Sequence, residues 1–188
     1  MKLNLSDILD LGRCIFCHKP IEHHQDFYSY KTTERKTEVA HLDCDGLQEF
    51  IEKVYSRFKG VTLEQAHAVY KNISLIKNAK ETIETIRNNG YLVVLISSGV
   101  PDLFVKDLAA RLSANDGYGI DTGIHDGRLT GTVSGKLCKN DGKVHFIEKP
   151  LQKHRLTWKQ TISLVDDRNN LDIMQKVSIN IGVNAHYP

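Results

Sequence analysis

The stretch YLVVLISSG, residues 91–99, decides the fold class. Residues 91–97 form an unbroken apolar run rich in β-branched side chains, the pattern of a strand covered on both faces in a parallel sheet. Before it, KNAKETIETIRNN (77–89) has helical spacing and is closed by Gly90, a residue suited to a helix C-cap. After it, PDLFVKDLAARL (101–112) resumes helical spacing, with Pro101 at a tolerated first-turn position. Further out, Leu47, Phe50, Ile51, Val54, Tyr55 and Phe58 recur at helical spacing up to Gly60, and VTLEQAHAVYKN (61–72) reads as a second short helix. Residues 117–143 are rich in Gly and Thr and read as loops or a hairpin. TISLVDD (161–167) reads as another buried strand, followed by a short helix near 169–177 and a last strand, SINIGV (178–183). This alternation predicts an α/β fold with a doubly wound, mostly parallel sheet. Ligands of such sheets bind beyond the strands' carboxyl ends, where SSG (97–99) and DDRNN (166–170) fall.

The chain has 188 residues, 40% hydrophobic and 26% charged, values of an ordinary globular domain that needs no staples to hold a core. Its net charge of +2 is too small to indicate nucleic acid or a membrane surface, and acids and bases are interspersed. No apolar run approaches the ~20 residues that span a bilayer. The opening MKLNLSDILDLGR places Asp7 and Asp10 inside its apolar pattern and lacks a signal-peptide core. A cytoplasmic protein with reduced thiols is expected. Cys138 and Trp158 carry no message at this level.

Cys14-Ile-Phe-Cys17 is followed, after 23 residues, by His41-Leu-Asp-Cys44. Two such pairs supply four soft or borderline ligands, the number a closed tetrahedral Zn²⁺ site needs. The arrangement resembles treble-clef zinc modules, in which a Cys-x-x-Cys turn, a hairpin and a helix starting at the second pair enclose the metal. His18, His23 and His24 are alternative ligands. To share one ion, His41 and Cys44 must bring their donor atoms within about 4 Å, given metal bonds of about 2.0 and 2.3 Å. One helical turn achieves this. A strand does not, because it sets residues 41 and 44 on opposite faces about 10 Å apart.

From about residue 58 to the C-terminus the chain resembles the haloacid dehalogenase (HAD) superfamily, nearest its phosphoserine-phosphatase-like branch. The resemblance rests on FKGVTLEQ, ETIETIRNNGYLVVLISSG, DGRLTGTVSGK, and SLVDDRNNLDIM followed by INIGVNAHYP. It implies a nucleophilic aspartate attacking phosphorus and a second, two residues on, acting as acid and base. Asp43 and Asp45, after VAHL, match these roles in order. Ser97 matches the hydroxyl that hydrogen-bonds the phosphoryl group. Lys143, in NDGKVHF, matches the lysine that neutralises developing charge. Asp166 matches the acid that joins the first two aspartates on Mg²⁺, an ion that prefers oxygen ligands, with Asp167 and Asn170 beside it. Only about 50 residues separate Asp45 from Ser97, room for a rudimentary cap over 47–76.

Two functions from different classes follow. One is a Mg²⁺-dependent phosphomonoester hydrolase with a structural zinc, acting on a phosphorylated small molecule or phosphoprotein. The other is a catalytically silent descendant whose zinc module serves protein or nucleic-acid interaction, with HLDC as ligands rather than part of a catalytic motif. A thiol redox role for Cys14 and Cys17 is weaker, since the pair does not sit between a strand and a helix as in thioredoxin-like folds. The expected organisation is a zinc-binding module over 1–46, overlapping the first strand and motif of the fold, and an α/β domain over 47–188.

Overall fold

The structure, a computed structural model, describes residues 27–31, 37–41, 46–139, 142–165 and 170–183. The chain divides into two compact units, Met1–Phe50 and Ile51–Pro188. In the first, β1 (Phe27–Lys31) and β2 (Thr37–His41) form an antiparallel hairpin whose register pairs Phe27 with His41 and Lys31 with Thr37. Helix α1 (Gly46–Ser56) starts five residues after β2, close to where the apolar periodicity begins, and carries the chain into the second unit.

Within the second unit the apolar run forms β3 (Val94–Pro101), three residues later than its hydrophobicity suggests. Residues 91–93 serve as its approach, and Val93 is tied to Asn115 through both backbone and side chain. β3 runs parallel to β4 (Asp116–His125), pairing Val94 with Asp116, Leu95 with Gly117 and Ile96 with Tyr118. The ladder resumes only at Pro101, opposite Ile120. Residues 97–100 therefore leave the ladder and form the bend at which SSG falls.

Helix α4 (Asp102–Arg111) follows at once and packs on β4. Gly117 and Gly119, two apart and so on one face of the strand, allow this close approach. A Cβ at Gly117 would lie 2.6 Å from the Val105 carbonyl oxygen, and one at Gly119 would lie 2.5 Å from that of Val100. Asp102, in the first turn of α4, accepts the Gly119 N–H at 3.1 Å and pairs with Lys106 at 2.6 Å. Ile120, on the opposite face of β4, is completely buried, which contributes about 1.5–3 kcal/mol for its side chain.

The Gly- and Thr-rich stretch resolves into β4 and β5 (Arg128–Ser134), an antiparallel hairpin. Asp126 and Gly127 at its tip both have positive φ, the conformation an Asp-Gly hairpin turn prefers. Helix α2 (Leu63–Lys71) begins with a capping box between Thr62 and Gln65, and its entry is bonded to the start of β5 through Gly60, Val61 and Leu129. Its buried Tyr70 stacks on Phe104 of α4 at 4.8 Å. Helix α3 (Ala79–Asn88) ends before Gly90, which takes the expected positive φ.

Helix α5 (Gly142–His154), with Pro150 inside it, occupies a stretch to which the sequence reading assigned no element. After a 3-10 turn at Trp158–Gln160, β6 (Ile162–Val165) pairs in parallel with β7 (Ile179–Gly182), with α6 (Leu171–Met174) between them. The fold is thus α/β, with parallel pairing in both β3–β4 and β6–β7. Among the described residues no helix is long and apolar enough to cross a membrane.

Candidate active site

Ser97 lies in the bend where β3 leaves its ladder with β4. Its hydroxyl oxygen accepts the Gly99 N–H at 3.3 Å. With one lone pair so used, the hydroxyl hydrogen remains available to donate, as a phosphate-binding serine requires. Gly99 is itself held, since Tyr55 of α1 donates its phenol to the Gly99 carbonyl at 3.0 Å. Tyr55 is buried, and that burial, helped by the nearby Cys138 thiol, pushes its pKa up to about 12. A phenol that keeps its proton is a dependable donor. Tyr55 is thus a positioning residue for the bend, and its periodicity on α1 marked it only as core.

Lys143 stands in the first turn of α5 and donates to Asn170 Oδ1 at 2.7 Å. A cation there opposes the helix dipole, and partial burial adds a desolvation cost. Helix stability alone does not explain a lysine at this position. Asn170, only 8% exposed, supplies a neutral oxygen that holds the ammonium without neutralising it. Gly142 fixes the helix start, as a Cβ there would collide with the Lys136 carbonyl. Helix α5 packs against β3, the 3-10 turn Lys136–Cys138 and α6, so one helix contacts the strand bearing Ser97 and the helix beside Asn170. Cys138 is core: it is buried and donates to the Ser134 carbonyl at 3.2 Å, with its pKa raised first by burial and then by Asp121 and Glu52.

The structure therefore joins two sequence-derived site residues directly, Lys143 and Asn170, and places Ser97 at a strand break. Asp43, Asp45, Asp166 and Asp167 lie outside the described residues, as do Cys14, Cys17 and Cys44. His41 is described as the last residue of β2 by its backbone alone. Among the described residues no three His, Cys, Asp or Glu side chains gather as a metal site. The Asn170 oxygen is a hard donor of the kind Mg²⁺ accepts, and it is engaged with Lys143. The Lys143–Asn170 contact was missed in sequence because 27 residues separate the pair.

A family model for haloacid dehalogenase-like hydrolases matches residues 19–163, ending just before Asp166. The phosphoserine phosphatase of Methanocaldococcus jannaschii is 26% identical over 134 residues, covering 71% of this chain and 63% of that protein. That of Archaeoglobus fulgidus is 26% identical over 140 residues, covering 74% of this chain and 40% of the relative. The chain thus spans less than two thirds of either relative. A solved phospho-aspartyl intermediate analogue of phosphoserine phosphatase superposes with a TM-score of 0.69 at 26% identity, covering 74% of this chain and 66% of that one.

Proposed function

Because the chain belongs to the haloacid dehalogenase-like hydrolase family, we propose that it hydrolyses phosphomonoesters in the manner of the phosphoserine phosphatases it resembles. The observation that carries this reading is the buried contact between Lys143 and Asn170. It supports the reading by fixing an ammonium group on α5, the helix that packs against the strand carrying Ser97.

In this reading Asp43 attacks phosphorus and forms an aspartyl-phosphate, displacing the substrate's alcohol. Asp45 protonates the departing oxygen and later takes a proton from the water that cleaves the intermediate. The Ser97 hydroxyl donates to one phosphoryl oxygen and Lys143 to another, stabilising charge as it builds. Asn170 keeps the Lys143 ammonium in place. Mg²⁺, held by Asp43, Asp45 and Asp166 with Asp167 and Asn170 beside them, would supply charge neutralisation between nucleophile and phosphate. These are oxygen donors and suit that ion. β2 ends at His41, two residues before Asp43, which is compatible with a nucleophile delivered by a strand.

A structural Zn²⁺ on Cys14, Cys17, His41 and Cys44 is the second part of the proposal. The hairpin β1–β2 follows the first ligand pair and a helix follows the second, as in a treble clef. His41 closes strand β2 and the helix starts only at Gly46, so the chain must turn directly after His41 for it and Cys44 to share one ion. The chain is extended through His41 and helical from Gly46, and Asp43, Cys44 and Asp45 fall between the two in sequence. The catalytically silent alternative gains no observation of its own among the described residues. Phosphorylated small molecules are the expected substrates, from the activity named for the relatives.

The test is release of phosphate from a generic aryl phosphate with and without Mg²⁺. Wild type should turn over only with the ion, and Asp43→Asn should abolish release. Lys143→Ala should lower kcat by about 10²–10³-fold, the usual cost of removing one group that stabilises transition-state charge. Equal rates for wild type and Asp43→Asn would end the hydrolase reading. For zinc, metal analysis should find one ion per chain, lost in Cys44→Ser; a variant that keeps its ion refutes the four-ligand set.

A further inference from the structure

Residues 136–159 contain seven Lys or Arg and two Asp or Glu, a local excess of five in a chain whose total is +2, which leaves the remainder at −3. The interspersed charges of the sequence are therefore unevenly shared, and α5 arranges part of the excess in a line. His145, Lys149 and Lys153 follow at i, i+4 and i+8, so they stand on one helix face and rise about 6 Å per step. Lys136 extends the row, with its Nζ 3.3 Å from both ring nitrogens of His145. Lys149 is braced over the Phe146 ring, 4.4 Å from its centroid, and lies 5.9 Å from that of Tyr118. Lys136, Lys149 and Lys153 are exposed.

Elsewhere in the molecule lysines on helices meet acids, as in Lys80 with Glu84 and Lys106 with Asp102. Among the described residues none of Lys136, Lys149 and Lys153 has such a partner. Lys149 and Lys153 are instead set at the spacing where like charges repel and weaken a helix. Lys143 precedes His145 by two residues and so stands on another side of the helix from the row.

We propose that this row binds the phosphodiester backbone of a single-stranded nucleic acid. The proposal stands on charge and spacing and is independent of the hydrolase reading. The exposed cations Lys136, Lys149 and Lys153 match a ligand with one fixed negative charge per unit. An extended acidic peptide turns alternate side chains to opposite faces, so half its charge would face away.

The experiment uses the full chain and a short fluorescent oligothymidylate, followed by anisotropy over a range of salt. Three or four phosphate contacts predict a slope of log K against log salt of about −2 to −3. The double substitution Lys149→Gln with Lys153→Gln should reduce that slope by about 1.4, with an unchanged circular dichroism spectrum. A slope unaffected by the double substitution, no binding at low salt, or equal binding of an acidic phosphopeptide would overturn the proposal. Turnover of aryl phosphate is read separately. A chain that hydrolyses it yet binds no oligonucleotide refutes the row alone, and one that binds the oligonucleotide without turnover refutes the hydrolase reading alone.

Discussion

The sheet β3–β4–β5 and the sheet β6–β7 are built from similar apolar residues and end up in different surroundings. In the first, α4 closes over Gly117 and Gly119, and Ile120 has no exposed surface. In the second, Ile162, Leu164, Ile179 and Ile181 keep between 41 and 58% of their surface exposed. Parallel strands are ordinarily covered on both faces, so β6–β7 is the less finished of the two. The difference shows where the burial energy of the second unit resides. Ser97, Tyr55 and the start of α5 are set by the well-packed sheet, and Asn170 reaches Lys143 from beside the exposed one.

Substitutions can break or sharpen this contrast. The largest effect is expected for Ile120→Ala, which removes fully buried atoms and should cost about 2–5 kcal/mol in urea unfolding. Next, Tyr55→Phe deletes a buried hydrogen bond to Gly99 and should cost about 1–3 kcal/mol, with a lower kcat as the Ser97 bend loosens. A pH effect belongs to the same residue. Tyr55 is raised to about 12 in the folded chain, whereas an unfolded tyrosine ionises near 10. Its contribution is fully present below pH about 10 and is lost as pH rises through about 12. Denaturation midpoints across that window should fall less steeply in Tyr55→Phe. Smallest of all, Leu164→Ala should change stability by no more than about 0.5 kcal/mol, as surface substitutions do. A loss at Leu164 as large as that at Ile120 would show that β6 is covered and would remove the contrast.

Much of the fold was legible in the sequence, for physical reasons that vary by element. α1, α2, α3 and α4 announced themselves by apolar spacing and by end signals such as Gly60, Gly90 and Pro101, because local periodicity and capping are local properties. β3 was recognisable as buried, but its edges were displaced, since tertiary pairing with β4 rather than hydrophobicity sets where a ladder begins. α5 was left unassigned, and it contains Pro150, a residue that ordinarily breaks a helix. Of the proposed site, Ser97 and Lys143 were read from the order of motifs along the chain. Tyr55 and the engagement of Asn170 with Lys143 were not, because both depend on contacts across 44 and 27 residues. The uneven charge around α5 escaped notice since a total of +2 averages it away.

The central claim is that phosphorus passes through a covalent bond to one aspartate, Asp43. Incubation with aryl phosphate and Mg²⁺, an acid quench, borohydride reduction and peptide mass spectrometry would read it directly. An acyl phosphate at that position is reduced to homoserine, so the account predicts homoserine at residue 43, dependent on substrate and absent from Asp43→Asn. Phosphate release with reduction at another carboxylate, or with none, would contradict it.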